Sequence, residues 1–263
     1  MIIDIHGHLG NINFAPFWQA DAARLEEYCK EAGVDKLCLS SSKSIMYDIH
    51  EGNEELNKAL QESDTFYGYV VVSPTFPESL KDLEYLKSNP KFRGVKIHPD
   101  YHGYVLSTPS NYRWVDKVAE MTPMMLFHVS CMPGSGFSPA KTVASIAKDH
   151  PETKFVLAHM AGLFQNGNYP FFPNMDTLEE VMEMDLPNIY IDTAHYLMYA
   201  YKGVMEKFLK IATADHIVFG TDCPLQGPMQ MRFAREVIEA LDIPEEDKAK
   251  IFCKNAEKVL GLV

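Results

Sequence analysis

Short apolar, β-branched runs recur along the chain at "MIIDIH", "VDKLCLS", "FYGYVVVS", "RGVKIH", "MMLFHV", "KFVLAH", "NIYIDT" and "HIVFGT". Amphipathic stretches such as "DAARLEEYCKEAG", "GNEELNKALQES", "PESLKDLEYLKSN" and "SPAKTVASIAKDH" separate them and predict helices. The runs return about every thirty residues, the length of one βαβ unit. They are apolar on both faces, as strands of a parallel sheet covered by helices must be. Eight such units predict an α/β fold, a (β/α)8 TIM barrel rather than an open doubly wound sheet. Gly33 predicts the stop of the first helix, and Ser138 followed by Pro139 predicts an N-cap and first turn. After the eighth helix, "MQMRFAREVIEALD", the segment "PEEDKAKIFCKNAEKVLGL" predicts one extra C-terminal helix. No linker or low-complexity stretch interrupts the pattern, so residues 1–263 are expected to form a single domain.

Charge narrows the partners. The formal net charge is −12 and no basic stretch offsets it, which excludes nucleic acid as an expected partner. The five cysteines (Cys29, Cys38, Cys131, Cys223, Cys253) form no CxxC pair and are odd in number. They point to reduced thiols and a cytoplasmic protein rather than a disulfide framework. No signal peptide and no membrane-spanning run are expected. The expected partner is a small-molecule substrate, with a homodimer left open as the assembly state.

Candidate chemistry clusters where the runs end. His6 and His8 are two apart, so in a strand they project from one face, at the C-terminal tip where barrel enzymes keep their chemistry. Alone, the pair fits a surface role as well as a metal site. The placement then repeats: His98 follows the fourth run, His128 ends the fifth, His159 the sixth, and Asp222 the eighth in "FGTDCP". Imidazole and carboxylate are the ligands that a catalytic divalent metal takes, with one position left for water.

With those residues in view, the chain resembles the amidohydrolase superfamily, in particular its amidohydrolase-2 branch, and is similar to aminocarboxymuconate-semialdehyde decarboxylase. "IDIHGH", "GVKIHP", "FHVS", "PETKFVLAHMAG", "FGTDCP" and the closing "NAEKVLGL" carry the resemblance, in the family's order and over nearly the whole chain. It implies that His6, His8, His128 and Asp222 hold one divalent metal, zinc by default, with manganese, iron or cobalt as alternatives. It further implies that His159 is a general base or orienting group and that Asp222 takes the water's proton. Two departures stand out: Ala161 precedes Gly162 where the family usually has two glycines, and Cys223 stands where an aromatic residue is common. Lys96 is open between a substrate clamp, a charge paired inside the barrel, and a carboxylated bridge between two metals. In the two-metal form His128 and His159 would serve the second ion.

The expected activity is a metal-dependent hydrolase, its activated water attacking an ester, lactone or amide carbon. The rival is a non-oxidative decarboxylase on the same site, and a third reading is a barrel that binds metal without catalysis. Lys96, His98 and His195 are the expected substrate contacts, although His98 serves equally as a cap for the following loop and His195 as a structural hydrogen-bonding group. Tyr196 shares the seventh-run position. Phe14, Phe17 and Trp18 after the first run, and Tyr169, Phe171 and Phe172 after the sixth, either wall a pocket or pack their loops together. Cys131 and "PGSG" read more simply as a buried thiol and a turn. His50, His102, His150 and His216 are expected to be structural or exposed.

Overall fold

The computed structural model describes residues 1–12, 19–129, 136–162, 175–194, 203–225 and 227–263. Eight parallel strands pair in chain order: β1 (Ile3–Leu9), β2 (Lys36–Ser41), β3 (Phe66–Val71), β4 (Phe92–Ile97), β5 (Met124–Phe127), β6 (Lys154–Leu157), β7 (Ile189–Asp192) and β8 (Ile217–Val218). The continuation of β8 hydrogen-bonds to β1 and closes the cylinder. Ile5 N donates to Phe219 O at 2.9 Å, Asp222 N to His6 O at 2.7 Å, and His8 N to Cys223 O at 2.7 Å. The molecule is the (β/α)8 barrel that the alternating pattern predicts.

Helices start and stop where short-range chemistry favours it. In the helix Ala22–Ala32 the Asp21 carboxylate accepts from Arg24 N at 2.9 Å, and Gly33 ends it with φ 69°. Asp48 caps the helix Ile49–Glu62 in the same way. Three local expectations change. The helix Ala140–Asp149 starts after Pro139, which itself occupies the N-cap position at φ −64°, ψ 135°, so Ser138 is not the cap. "PESLKDLEYLKSN" forms a 3-10 helix over Pro77–Glu84 before a single α-turn, Tyr85–Ser88. The closing segment is one run, Glu245–Val259, but winds as a π-helix over Lys250–Lys254. There Asn255 Nδ2 donates to Ala214 O at 2.7 Å and Ile217 O at 2.8 Å, pinning the run to β8.

Alternate strand residues divide between two apolar layers. Leu37, Leu39, Val95, Ile97, Phe127, Phe155 and Phe219 pack outward against the helices. Ile3, Ile5, Cys38, Tyr69, Leu126, Val156 and Val218 fill the barrel, joined by Ala256, Val259 and Leu260 of the closing run. The positions that continue the inner layer toward the strands' C-terminal ends are polar, and there the candidate site lies. Among the described residues no helix is long and apolar enough to cross a membrane.

Candidate metal centre

Strict alternation from Ile3 and Ile5 would send His6 and His8 outward, into the helix layer. A bulge prevents this. β1 pairs Asp4 with Leu37 but Gly7 with Leu39, placing one extra residue on β1 and reversing its alternation, so both histidines reach the barrel mouth. Gly7 suits the position, because a Cβ there would lie 2.8 Å from Leu37 Cδ1. His6 Nδ1 faces Asp192 Oδ2 at 2.8 Å, while its Nε2 lies 2.8 Å from Lys96 Nζ and 3.4 Å from Asp222 Oδ1. His8 Nδ1 meets Ser40 Oγ at 3.0 Å, and its Nε2 meets Asp222 Oδ1 at 2.8 Å. The two Nε2 atoms thus converge on one carboxylate oxygen, while protein groups engage both Nδ1 atoms.

Asp222 arrives through a backbone turn at φ 61°, in the left-handed region. Asp4, fully buried, accepts from the Thr221 hydroxyl and, at 3.1 Å each, from Thr221 N and His6 N, tying the ends of β1 and β8 together. Burial pushes the Asp4 carboxyl up to about 7, against the pull of the Thr221 hydroxyl. Gln230 donates to Thr221 O and secures the same turn.

His159 is held differently. His159, Met160 and Ala161 have φ values of 61°, 53° and 58°, a left-handed turn whose first three residues are not glycine and which Gly162 continues at φ 85°. Asp192 Oδ1 accepts from His159 N at 2.7 Å and from Ala194 N at 3.1 Å, fixing the entry to that turn. Burial pushes the Asp192 carboxyl up to about 7, opposed by the His159 N–H and the Lys96 ammonium. His159 Nδ1 lies 3.4 Å from Ala194 O, and its Nε2 lies 3.1 Å from His128 Nδ1. Burial, then the His159 and Lys96 charges, hold His128 well below the usual imidazole range.

His98 caps the short helix Pro99–His102, its Nδ1 accepting from Tyr101 N at 3.3 Å. Its ring stacks on His128 with centroids 3.9 Å apart and planes 12° apart. Burial and the neighbouring His128 and Lys96 charges hold it well below the imidazole range. Nearby, Asp100 Oδ2 lies 3.5 Å from His128 Nε2. Burial and the Asp222 charge push the Tyr101 phenol up to about 12, so it remains a neutral hydrogen-bond donor.

Three groups of described residues bring nitrogen and oxygen ligand atoms within 4.8 Å of one another: His6, His8 and Asp222; His6, His159 and Asp192; and His98, Asp100 and His128. The first suits an ion best, because protein partners stand ready to accept a proton at both Nδ1 atoms. Neutral imidazole has one lone pair. In that group His6 and His8 engage protein partners through Nδ1 and turn Nε2 toward Lys96 and Asp222. An ion would replace those contacts at Nε2, the nitrogen that the usual arrangement of metal-binding histidine presents. In the second, Asp192 already holds His6 Nδ1 and two backbone N–H groups. In the third, His98 Nδ1 accepts from the backbone, so Nε2 carries the proton.

The structure therefore brings His6, His8 and Asp222 together, with Lys96 against His6. His128 stands in a different group, paired with His159 and stacked on His98. His195, Tyr196, Cys131, Phe14, Phe17, Trp18, Tyr169, Phe171 and Phe172 lie outside the described residues. His50, His150 and His216 bond Asp82 at 3.0 Å, Asp116 at 2.7 Å and Ile189 O at 2.7 Å, away from the mouth. Asp192, Ser40 and Asp4 are the members that sequence reasoning passes over. Asp192 carried a usable signal, since it ends "NIYID" much as Asp222 follows the eighth run.

The sequence model of the family described as Amidohydrolase matches residues 51–262 of the chain. No curated protein matches it. Among solved structures it is similar to a 2,6-dihydroxybenzoate decarboxylase complexed with 2,6-dihydroxybenzoate, at 14% identity and TM-score 0.71, with 99% of each chain covered. It is also similar to 5-carboxyvanillate decarboxylase from Novosphingobium aromaticivorans complexed with manganese and 4-hydroxy-3-methoxy-5-nitrobenzoic acid, at 16% identity and TM-score 0.71, covering 99% of this chain and 96% of that one. A third is a probable 2-pyrone-4,6-dicarboxylic acid hydrolase from Acinetobacter baumannii with citric acid bound, at 14% identity and TM-score 0.68, with 99% of each chain covered. At these identities the likeness is one of fold.

Proposed function

The chain belongs to the amidohydrolase family of enzymes, and from that premise we propose that it is a metal-dependent hydrolase of an ester, lactone or amide bond in a small molecule. One observation carries the reading: His6 Nε2 and His8 Nε2 converge on Asp222 Oδ1 at 3.4 and 2.8 Å. His6, His8 and Asp222 would hold the ion, with His128 as the further ligand if its ring leaves His159. Zinc is the default for such donors, with manganese, iron or cobalt as alternatives. When bound, the ion supplies Lewis-acid polarisation of a substrate oxygen and brings the pKa of water toward neutrality. The whole chain, residues 1–263, is taken as the catalytic unit. Cys29, Cys38, Cys223 and Cys253 are all free thiols, which supports a cytoplasmic setting.

Within this reading Asp222 keeps one carboxylate oxygen for the water's proton. His159, with Nδ1 turned to Ala194 O and Nε2 3.1 Å from His128 Nδ1, would exchange a proton with His128 or with the reacting group. His98 presents an Nε2–H to a substrate oxygen as a neutral donor. Lys96, fully buried, places its positive charge against His6 Nε2. His195 completes the proposed substrate contacts. The test is turnover of an ester and lactone panel by metal-loaded protein, with Asp222→Asn as the inactive control.

Two specific observations support variants of this reading. His128 Nδ1 and His159 Nε2 lie 3.1 Å apart, the His159 ring 5.3 Å from that of His6, and Lys96 Nζ stands against His6. This favours a second ion on those two histidines with Lys96 carboxylated, and two metal equivalents per chain would establish it. Two of the structural neighbours are decarboxylases. Carbon dioxide released in step with product, without uptake of water, would move the assignment to a decarboxylase.

A further inference from the structure

We infer that Asp192 is the positioning residue that sets the tautomer of His6 for metal binding and couples it to the turn carrying His159. The inference rests on the metal reading above. An ionised carboxylate only accepts hydrogen bonds, and an ammonium only donates them. Asp192 Oδ2 lies 2.8 Å from His6 Nδ1, so Nδ1 carries the proton. Lys96 Nζ lies 2.8 Å from His6 Nε2, so Nε2 carries the lone pair. Two partners on opposite sides of one ring select the same tautomer, the one an ion needs at Nε2.

The other oxygen reaches a different strand. Asp192 Oδ1 accepts from His159 N at 2.7 Å and from Ala194 N at 3.1 Å. One carboxylate at the end of β7 therefore links the β1 imidazole to the left-handed turn after β6. The barrel makes room for it at Gly220, where a Cβ would lie 3.2 Å from the Cβ atoms of both His6 and Asp192. Asp192 is fully buried, so its role is to orient other groups rather than to touch substrate.

Asp192→Asn separates the two functions. The amide oxygen can keep both backbone N–H partners. Its NH₂ then faces His6 Nδ1 and demands a lone pair there, in competition with the Lys96 ammonium at Nε2, so the Nδ1-protonated form loses one of its two supports. The experiment uses metal-free, ¹⁵N-labelled full-length protein at about pH 8, on the alkaline side of the raised Asp192 carboxyl. Long-range ¹H–¹⁵N spectra report the tautomer of His6, identified by loss of its signal in His6→Gln, and zinc alone is then titrated in against a chromophoric chelator.

Wild-type protein should show His6 protonated at Nδ1. Asp192→Asn should shift the population toward protonation at Nε2, with zinc affinity reduced about 10–100-fold, the span for loss of a group that orients a metal-binding histidine. Wild-type protein with His6 protonated at Nε2 overturns the inference, and so does an Asn variant with unchanged tautomer and affinity. If Asp192→Asn does not fold, the wild-type spectrum still decides. Failure of wild-type protein to bind zinc, manganese, iron or cobalt would instead strike the metal reading, a result distinct from a wrong tautomer.

Discussion

Gly220→Ala perturbs the centre without changing any group that bears its chemistry. The added methyl carbon would sit 3.2 Å from the Cβ atoms of His6 and Asp192 and 3.5 Å from Asp192 Cγ. Carbon contacts relax at about 3.5–4.0 Å, so each neighbour must retreat by about half an ångström. Neither retreats cheaply, because the 2.8 Å His6–Asp192 bond and the 2.7 Å bond from His159 N hold them. Overpacking of this kind costs about 1–3 kcal/mol, while alanine's lower unfolded-state entropy returns about 0.4–1 kcal/mol. The net loss is about 0–2.6 kcal/mol, which at roughly 2–4 °C per kcal/mol lowers Tm by up to about 10 °C. Calorimetry of metal-free protein measures that shift, and a zinc titration of the same sample should show weaker binding. A variant as stable as wild type, binding zinc equally well, would refute the claim that the His6–Asp192 pair is tightly seated beside Gly220.

Three further outcomes follow. Asp222→Asn should weaken metal binding moderately and lower turnover much further, measured with metal in excess; near-normal turnover at saturation would remove Asp222 as proton acceptor. His159→Asn should keep most of its metal and lose about 10²–10⁴-fold in turnover, the span of a general acid–base group, and elemental analysis beside kinetics would expose the reverse pattern. Ser40→Ala deprives His8 Nδ1 of its 3.0 Å partner and should weaken zinc binding by up to about tenfold with little change in Tm. Unchanged affinity there would mean that His8 is oriented by Asp222 alone.

Much of this architecture is legible in the sequence, for physical reasons particular to each part. The strands announce themselves because parallel strands buried on both faces need unbroken apolar runs, and Gly33 marks a helix end because the chain needs φ 69° there. His6, His8 and Asp222 are readable because barrel chemistry collects at strand tips. The bulge between Asp4 and Gly7 is not readable: periodicity alone sends His6 outward from Ile5, and only the pairing with β2 shows the extra residue. The left-handed turn at His159, Met160 and Ala161 leaves only Gly162 after it as a mark, because a long-range bond to Asp192 holds its entry. His128 ends a strand as His6 does, and the cylinder sets it beside His98 and His159, a neighbourhood fixed by barrel curvature rather than by sequence distance.

The most direct test is the metal content of the wild-type chain and of the His6→Ala/His8→Ala double variant, produced with zinc supplied and measured by elemental analysis after exhaustive dialysis. The account predicts about one tightly held equivalent of divalent metal per wild-type chain, as a single catalytic site requires, and an empty double variant that remains folded. Wild-type protein without metal, or a double variant that keeps its full complement, would contradict it.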